Sequence, residues 1–306
     1  MILCADDYGI SPAVSAGILE LVEQRKISSV SCMVIGTHAT QELAHLRRWN
    51  KQVEVGLHLV LTNDRPLSHL PPQTGLADAQ GRFLSFPQLL RNAYRRSLDA
   101  DTVSQEIAAQ LACFESVMHV APDYLDGHQH VQQLPVIREA VTRCAEHLVA
   151  RRRRCYVRSA ALPWTWLWGK GLFTSLKLAA ANLAIAVPGR AMGRLLDQHT
   201  IPHNRFLLGF YSYEDGTAFE EIVRLYLSVQ PRARDIFFCH PGYIDDALRR
   251  RDPLAASRLD ALRFLQSPRC QEFLEERGIH VNTFFGDAEE GVEAPASSGE
   301  RIGSVP

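Results

Sequence analysis

The chain reads as an α/β protein built on one parallel sheet or barrel. Two observations predict this. Short apolar runs alternate with helix-length amphipathic stretches along nearly the whole sequence. Four of the apolar runs also end in clusters of Asp and His. In parallel α/β folds the C-terminal strand ends share one face, where sites are built.

The elements follow in order. Ile2–Ala5 is a first strand, and Pro12–Gln24 a helix with Ser11 as its N-cap and Pro12 at the first helical position. Ser29–Ile35 is a strand, Gln41–Trp49 a helix and Val53–Leu61 a strand. Ala100–Met118 carries Leu, Ile and Phe at a period of about 3.6 and is a long helix. Tyr124–Asp126 enters a strand, Pro135–Leu148 is helical and Cys155–Arg158 is a strand. Glu220–Ser228 is a helix, Asp235–Cys239 a strand, and Leu254–Gln266 and Cys270–Arg277 are helices. His280–Asn282 is predicted as a last short strand.

Two segments break the rhythm. Thr62–Leu90 is predicted as a long loop, and Leu162–Tyr213 as an insertion rich in Trp, Leu and Ala. Long insertions in α/β folds favour the functional face. The domain expected is one barrel over 1–287 with the insertion at about 162–213. The polar tail 288–306 is expected to be disordered.

Composition narrows the function classes. The 306 residues are 46% hydrophobic and 22% charged, with a net charge of −1. That balance lacks the general electrostatic footprint of a nucleic-acid binder. Seven scattered cysteines with no CxxC pair argue against a disulfide framework or a zinc ribbon and for a reducing, cytoplasmic setting. No signal peptide is visible at the N-terminus. The run Leu178–Val187 is about half of what a bilayer requires.

The chemistry gathers in four clusters: Asp6-Asp7-Tyr8-Gly9, Gly56-Leu57-His58-Leu59, Asp126-Gly127-His128-Gln129-His130, and Cys239-His240-Pro241-Gly242-Tyr243. Adjacent residues leaving a strand point in different directions, so Asp6 and Asp7 can divide metal ligation and proton transfer between them. They also suit a helix cap before Pro12. His58 inside an apolar strand suits a hydrogen-bonded core histidine as well as a ligand. His-x-His from a strand would put His128 and His130 on one side. His240 at a strand mouth suits acid–base work. Taken together, Asp and His from separate strand ends suit a catalytic divalent ion with open positions, the kit for metal-assisted hydrolysis.

At these residues the sequence resembles the YdjC-like carbohydrate deacetylases, from Leu3 to about Phe285. The marks are ADDYGIS at 5–11, VGLHLVLT at 55–62, YLDGHQHVQQLP at 124–135, Arg158 in YVRSA, FLLGFY at 206–211 and CHPGYIDD at 239–246. The resemblance implies a TIM-barrel-like, irregular β/α barrel similar to polysaccharide deacetylases. It implies one divalent metal ion, Mg²⁺ or Zn²⁺, on Asp7, His58 and His128, with Asp6 as general base and His240 as general acid. The implied reaction removes the acetyl group from an N-acetylated sugar or glycolipid, and the family suggests a homodimer. His130, Arg158 and Tyr243 are candidate substrate contacts, Arg158 equally a salt bridge inside the barrel. The family's cluster usually reads H-x-H-V-H, whereas Gln132 stands at the last position here.

Other readings stay open. Trp164, Trp166 and Trp168 fit a hydrophobic clasp, a stacking platform for sugar, or a peripheral membrane contact through 163–200 with Lys170, Lys177, Arg190 and Arg194. The Arg151–Arg154 run fits a solvated helix end. A phosphoesterase using the same ligands, and a non-catalytic sugar- or metal-binding relative, are the alternatives to a deacetylase.

Overall fold

The computed structural model describes residues 1–71, 73–152, 154–163, 176–210, 217–228, 230–252 and 255–286. Seven strands form one sheet: β1 Ile2–Tyr8, β2 Ser29–Cys32, β3 Glu54–Leu59, β4 Tyr124–Gly127, β5 Tyr156–Val157, β6 Leu207–Leu208 and β7 Ile236–Cys239. They lie in the order β5-β4-β3-β2-β1-β7-β6, and every pairing is parallel. Taken as a ring, this is the chain order of a β/α barrel with its seam between β5 and β6. The seam is partly bridged. Val157 donates its N–H to Pro202 O at 2.9 Å, and Leu207 donates to Ala161 O at 2.9 Å. Every residue of the seven strands is buried, as strands covered on both faces must be.

The helices begin with α1 Pro12–Glu23, α2 Ala39–Leu46, α3 Phe86–Tyr94, α4 Ala100–Met118 and α5 Ile137–Arg152. They continue with α6 Leu176–Gln198, α7 Phe219–Leu227, α8 Asp246–Arg251, α9 Ala255–Gln266 and α10 Pro268–Glu276. Ser11 caps α1 as expected, its Oγ accepting from Val14 N at 3.3 Å. The 62–90 stretch is shorter as a loop than expected, because α3 starts inside it. Gln88 Oε1 there accepts from both the Ser85 N–H, at 3.1 Å, and the Ser85 hydroxyl, at 2.7 Å. The insertion contains the long helix α6 and the short strand β6. The three tryptophans and the tail after 286 lie outside the described residues. Among the described residues no helix is long and apolar enough to cross a membrane.

His280–Asn282 is not a strand. The segment still runs beside the start of β1: Asn282 N donates to Met1 O at 2.9 Å, and the Met1 amino group donates to His280 O at 2.7 Å. It brings Phe284 under the N-terminal end of the barrel. There Tyr156 is stacked between Tyr124, 4.8 Å between ring centroids, and Phe284, at 4.0 Å. The same end buries Glu54, whose Oε1 accepts from Phe284 N at 2.7 Å and whose Oε2 accepts from the Tyr156 hydroxyl at 3.2 Å.

Burial pushes the Glu54 carboxyl up to about 8, against the opposing Phe284 N–H hydrogen bond. The folded chain therefore holds a proton here that the unfolded chain, titrating at about 4.3, gives up earlier. This contribution to stability is full below about pH 4.3 and is lost as pH rises through about 8. Glu54→Gln copies the neutral carboxyl. Thermal melts should show the variant gaining on the wild type between pH 5 and 8, roughly the window between the two pKa values, with the difference level above it.

Candidate active site

All strands are parallel, so the ends of β1, β3, β4 and β7 open on one mouth. A cavity of about 940 Å³ lies there, with Asp6, Asp7, His58, His128, His130 and His240 in its lining. That volume is ordinary for a small-ligand site.

The adjacent aspartates divide because β1 is irregular at that point. Ala5 pairs with Val30 and Tyr8 with Cys32, so β1 spends one more residue than β2 over the same step. Asp7 takes up the extra residue in the left-handed region, φ 69°, a conformation that Asp tolerates better than most residues. The bulge aims the two carboxylates at different partners. Asp7 Oδ1 meets His128 Nδ1 at 3.0 Å and His58 Nε2 at 3.3 Å. Asp6 receives the Arg158 guanidinium as a fork, Nη1 to Oδ1 at 2.7 Å and Nη2 to Oδ2 at 2.6 Å.

His58 is held on both sides of its ring. The register that pairs His58 with Asp126 across β3 and β4 puts Asp126 Oδ1 2.7 Å from His58 Nδ1. Ser31 donates its hydroxyl to the same oxygen at 2.6 Å, and Arg158 Nη2 lies 2.7 Å from Asp126 Oδ2. A carboxylate on one ring nitrogen fixes the ring and makes the other nitrogen a better ligand. Burial alone would lower the His58 pKa, but Asp126, with Asp7 and Asp6, overcomes it and pushes the ring up to about 10. Burial alone would likewise raise Asp7, yet Arg258 and the two imidazoles hold it well below the ordinary carboxylate range.

Three expectations are corrected. Arg158 is fully buried and outside the cavity lining. It is an ion-pair partner of Asp6 and Asp126, not a substrate contact. Tyr243 is also outside the lining, because it packs toward α1 and donates its hydroxyl to Glu20 Oε2 at 2.7 Å. The His-x-His pair does not sit on a strand. β4 stops at Gly127, and Gln129 and His130 turn through left-handed backbone at φ 55° and 57°. His128 thereby faces Asp7, while His130 packs against the rings of Phe210 and Phe238, with centroids 5.1 and 5.3 Å away. Burial, helped by the Arg158 charge, lowers His130 to about 3, so it is a neutral ring.

His240 Nε2 lies 3.9 Å from Asp7 Oδ2. Burial lowers its pKa to about 4 against the pull of Asp7, part of which Arg258 offsets. Gln132 is fully buried and outside the lining; its Nε2 donates to Arg158 O at 2.9 Å. The departure at that position therefore braces the backbone behind Arg158.

Sequence reasoning placed Asp126 in a strand-end cluster without giving it a role, and missed Ser31, Arg258 and Asp252 as parts of the site. Asp126 had a signal, standing two residues before His128 at a strand end. Arg258 had none, being one arginine in an amphipathic helix.

The donor set fits one divalent cation. Asp7, His58 and His128 each offer an atom, and these atoms lie within 4.8 Å of one another. One carboxylate and two imidazoles leave positions open, as catalytic sites do.

Known proteins place the chain in a family. The chain is 32% identical over 285 residues to a chitooligosaccharide deacetylase of Serratia marcescens, covering 93% of this chain and 97% of that one. It is 26% identical over 284 residues to a carbohydrate deacetylase of Geobacillus stearothermophilus, covering 92% and 96%. The crystal structure of a candidate cellobiose-phosphate cleavage protein from Enterococcus faecalis shares the fold, with a TM-score of 0.65 at 22% identity over 92% of this chain and 96% of that one. A family model described as YdjC-like protein matches residues 1–276, and with that span the chain belongs to the YdjC-like family.

Proposed function

We propose that the protein is a metal-dependent carbohydrate N-deacetylase that hydrolyses the acetamide of an N-acetylated amino sugar to a free amine and acetate. The observation that carries this reading is the convergence of Asp7, His58 and His128 on one point of a sugar-sized cavity. The names of the relatives in Serratia marcescens and Geobacillus stearothermophilus support it.

One divalent cation on Asp7, His58 and His128 would supply the Lewis acidity that acidifies water and polarises an acyl carbonyl. The chain supplies the rest. Asp126, braced by Ser31 and Arg158, holds the His58 ring so that Nε2 faces the site. Asp6 borders the cavity, and the fork from Arg158, with the Cys4 thiol also on Oδ1, fixes its orientation while Oδ2 keeps a lone pair for a water proton. His240 lies on the other side of Asp7, where it can deliver a proton to the departing amine nitrogen. Burial, which lowers its pKa to about 4, favours the neutral ring, so the donor form would have to be loaded with a proton during turnover. His130, neutral between Phe210 and Phe238, offers an apolar wall with one polar edge to the sugar.

Acetate release from a panel of N-acetylated oligosaccharides and glycolipids tests the reaction. Phosphate release in place of acetate would favour a phosphoesterase, and binding without turnover a non-catalytic relative. Elemental analysis of Asp7→Ala, His58→Ala and His128→Ala should show lost metal in each; full occupancy in all three would refute the ligand set. Asp6→Asn and His240→Asn should keep the metal and lose about 10²–10⁴-fold in kcat. Asp126→Asn should weaken metal affinity by roughly 10–100-fold in a chelator competition, because the His58 ring loses its anchor.

A further inference from the structure

The partners of Asp7 are divided between its two oxygens. Oδ1 faces the imidazoles of His128 and His58 at 3.0 and 3.3 Å. Oδ2 faces Arg258 Nη2 at 2.5 Å, with His240 Nε2 farther off at 3.9 Å. Arg258 comes from α9, 251 residues along the chain from Asp7, and is 4% exposed. Its guanidinium has little freedom. Nε donates to Asp252 Oδ2 at 2.6 Å with Nη2 also 2.6 Å from that oxygen, and Arg258 O accepts from Gly242 N, two residues past His240, at 3.1 Å.

A carboxylate beside a divalent ion can give one oxygen or two. Giving two would consume a position that hydrolysis needs for water or the acyl oxygen. We propose that Arg258 is a positioning residue of this centre: anchored by Asp252, it holds Oδ2 of Asp7 and leaves Oδ1 alone to face the ion. The inference rests on the metal-hydrolase reading. Simple charge neutralisation of Asp7 would not require the guanidinium to be locked on one oxygen by a second carboxylate. The paired anchor is what turns an ion pair into an orienting device.

Cobalt(II) reports the difference, because its visible ligand-field absorption weakens as coordination rises toward octahedral. Metal-free wild type, Arg258→Gln and Asp252→Asn would be titrated with Co²⁺ to saturation, with circular dichroism confirming the fold. In Arg258→Gln the released Oδ2 joins the ion, and the band should weaken roughly two-fold or more. Asp252→Asn leaves Arg258 in place but unanchored, and should weaken the band in the same direction by less. If Arg258→Gln does not fold, Asp252→Asn decides on the same criterion. A band as strong as wild type, or stronger, in the deciding variant overturns the role of Arg258. A wild type that takes up no cobalt overturns the metal reading itself, which separates the two failures.

Discussion

Charge balance inside the barrel governs the mouth. Asp6, Asp7, Asp126, Arg158 and Arg258 are all buried at the strand ends. Isolated, each would carry a prohibitive desolvation cost. They persist because they are linked: Arg158 joins Asp6 to Asp126, Asp126 and Asp7 grip opposite nitrogens of His58, and Arg258 closes on the far oxygen of Asp7. Asp252 closes the network on the far side of Arg258, and the surrounding carboxylates raise the His58 pKa, favouring a proton there that offsets part of their charge. A bound divalent cation would take over that role and displace the proton, which couples occupancy of the centre to proton release.

The backbone makes this network possible at two irregular points. The bulge at Asp6 and Asp7 turns one carboxylate toward Arg158 and the other toward the imidazoles. The left-handed pair Gln129 and His130 ends β4 abruptly and sends His128 back to Asp7. Left-handed backbone costs roughly 1–2 kcal/mol per non-glycine residue. The cost persists here because the surrounding ion pairs and ring packing over-determine each position.

Much of the site was legible because its residues sit at predictable places. Asp7, His128 and His240 each close an apolar run and His58 lies near the end of one, and parallel strands bring such ends together whatever their separation in sequence. The strand count was less legible. β5 was expected within Cys155–Arg158, but β6, two residues long, is too short for a periodicity to emerge and is held by its ladder with β7 and by the seam. Tyr243 was misread because its place in a motif beside His240 says nothing of its direction. The turn after Pro241 carries its ring out to Glu20 on α1.

Sequence alone determined the parallel α/β class, the cap of α1, the lengths of α1 and α4, and the pool of Asp and His at the strand ends. These follow from local rules, periodicity and capping, that act within a few residues. Tertiary structure decided the partnerships. Asp126 belongs to His58 because of the β3–β4 register, Arg158 to Asp6 because burial forces every charge to find its opposite, and Arg258 to Asp7 because α9 packs back over the mouth. Such pairings depend on distances across the fold, which no local pattern encodes.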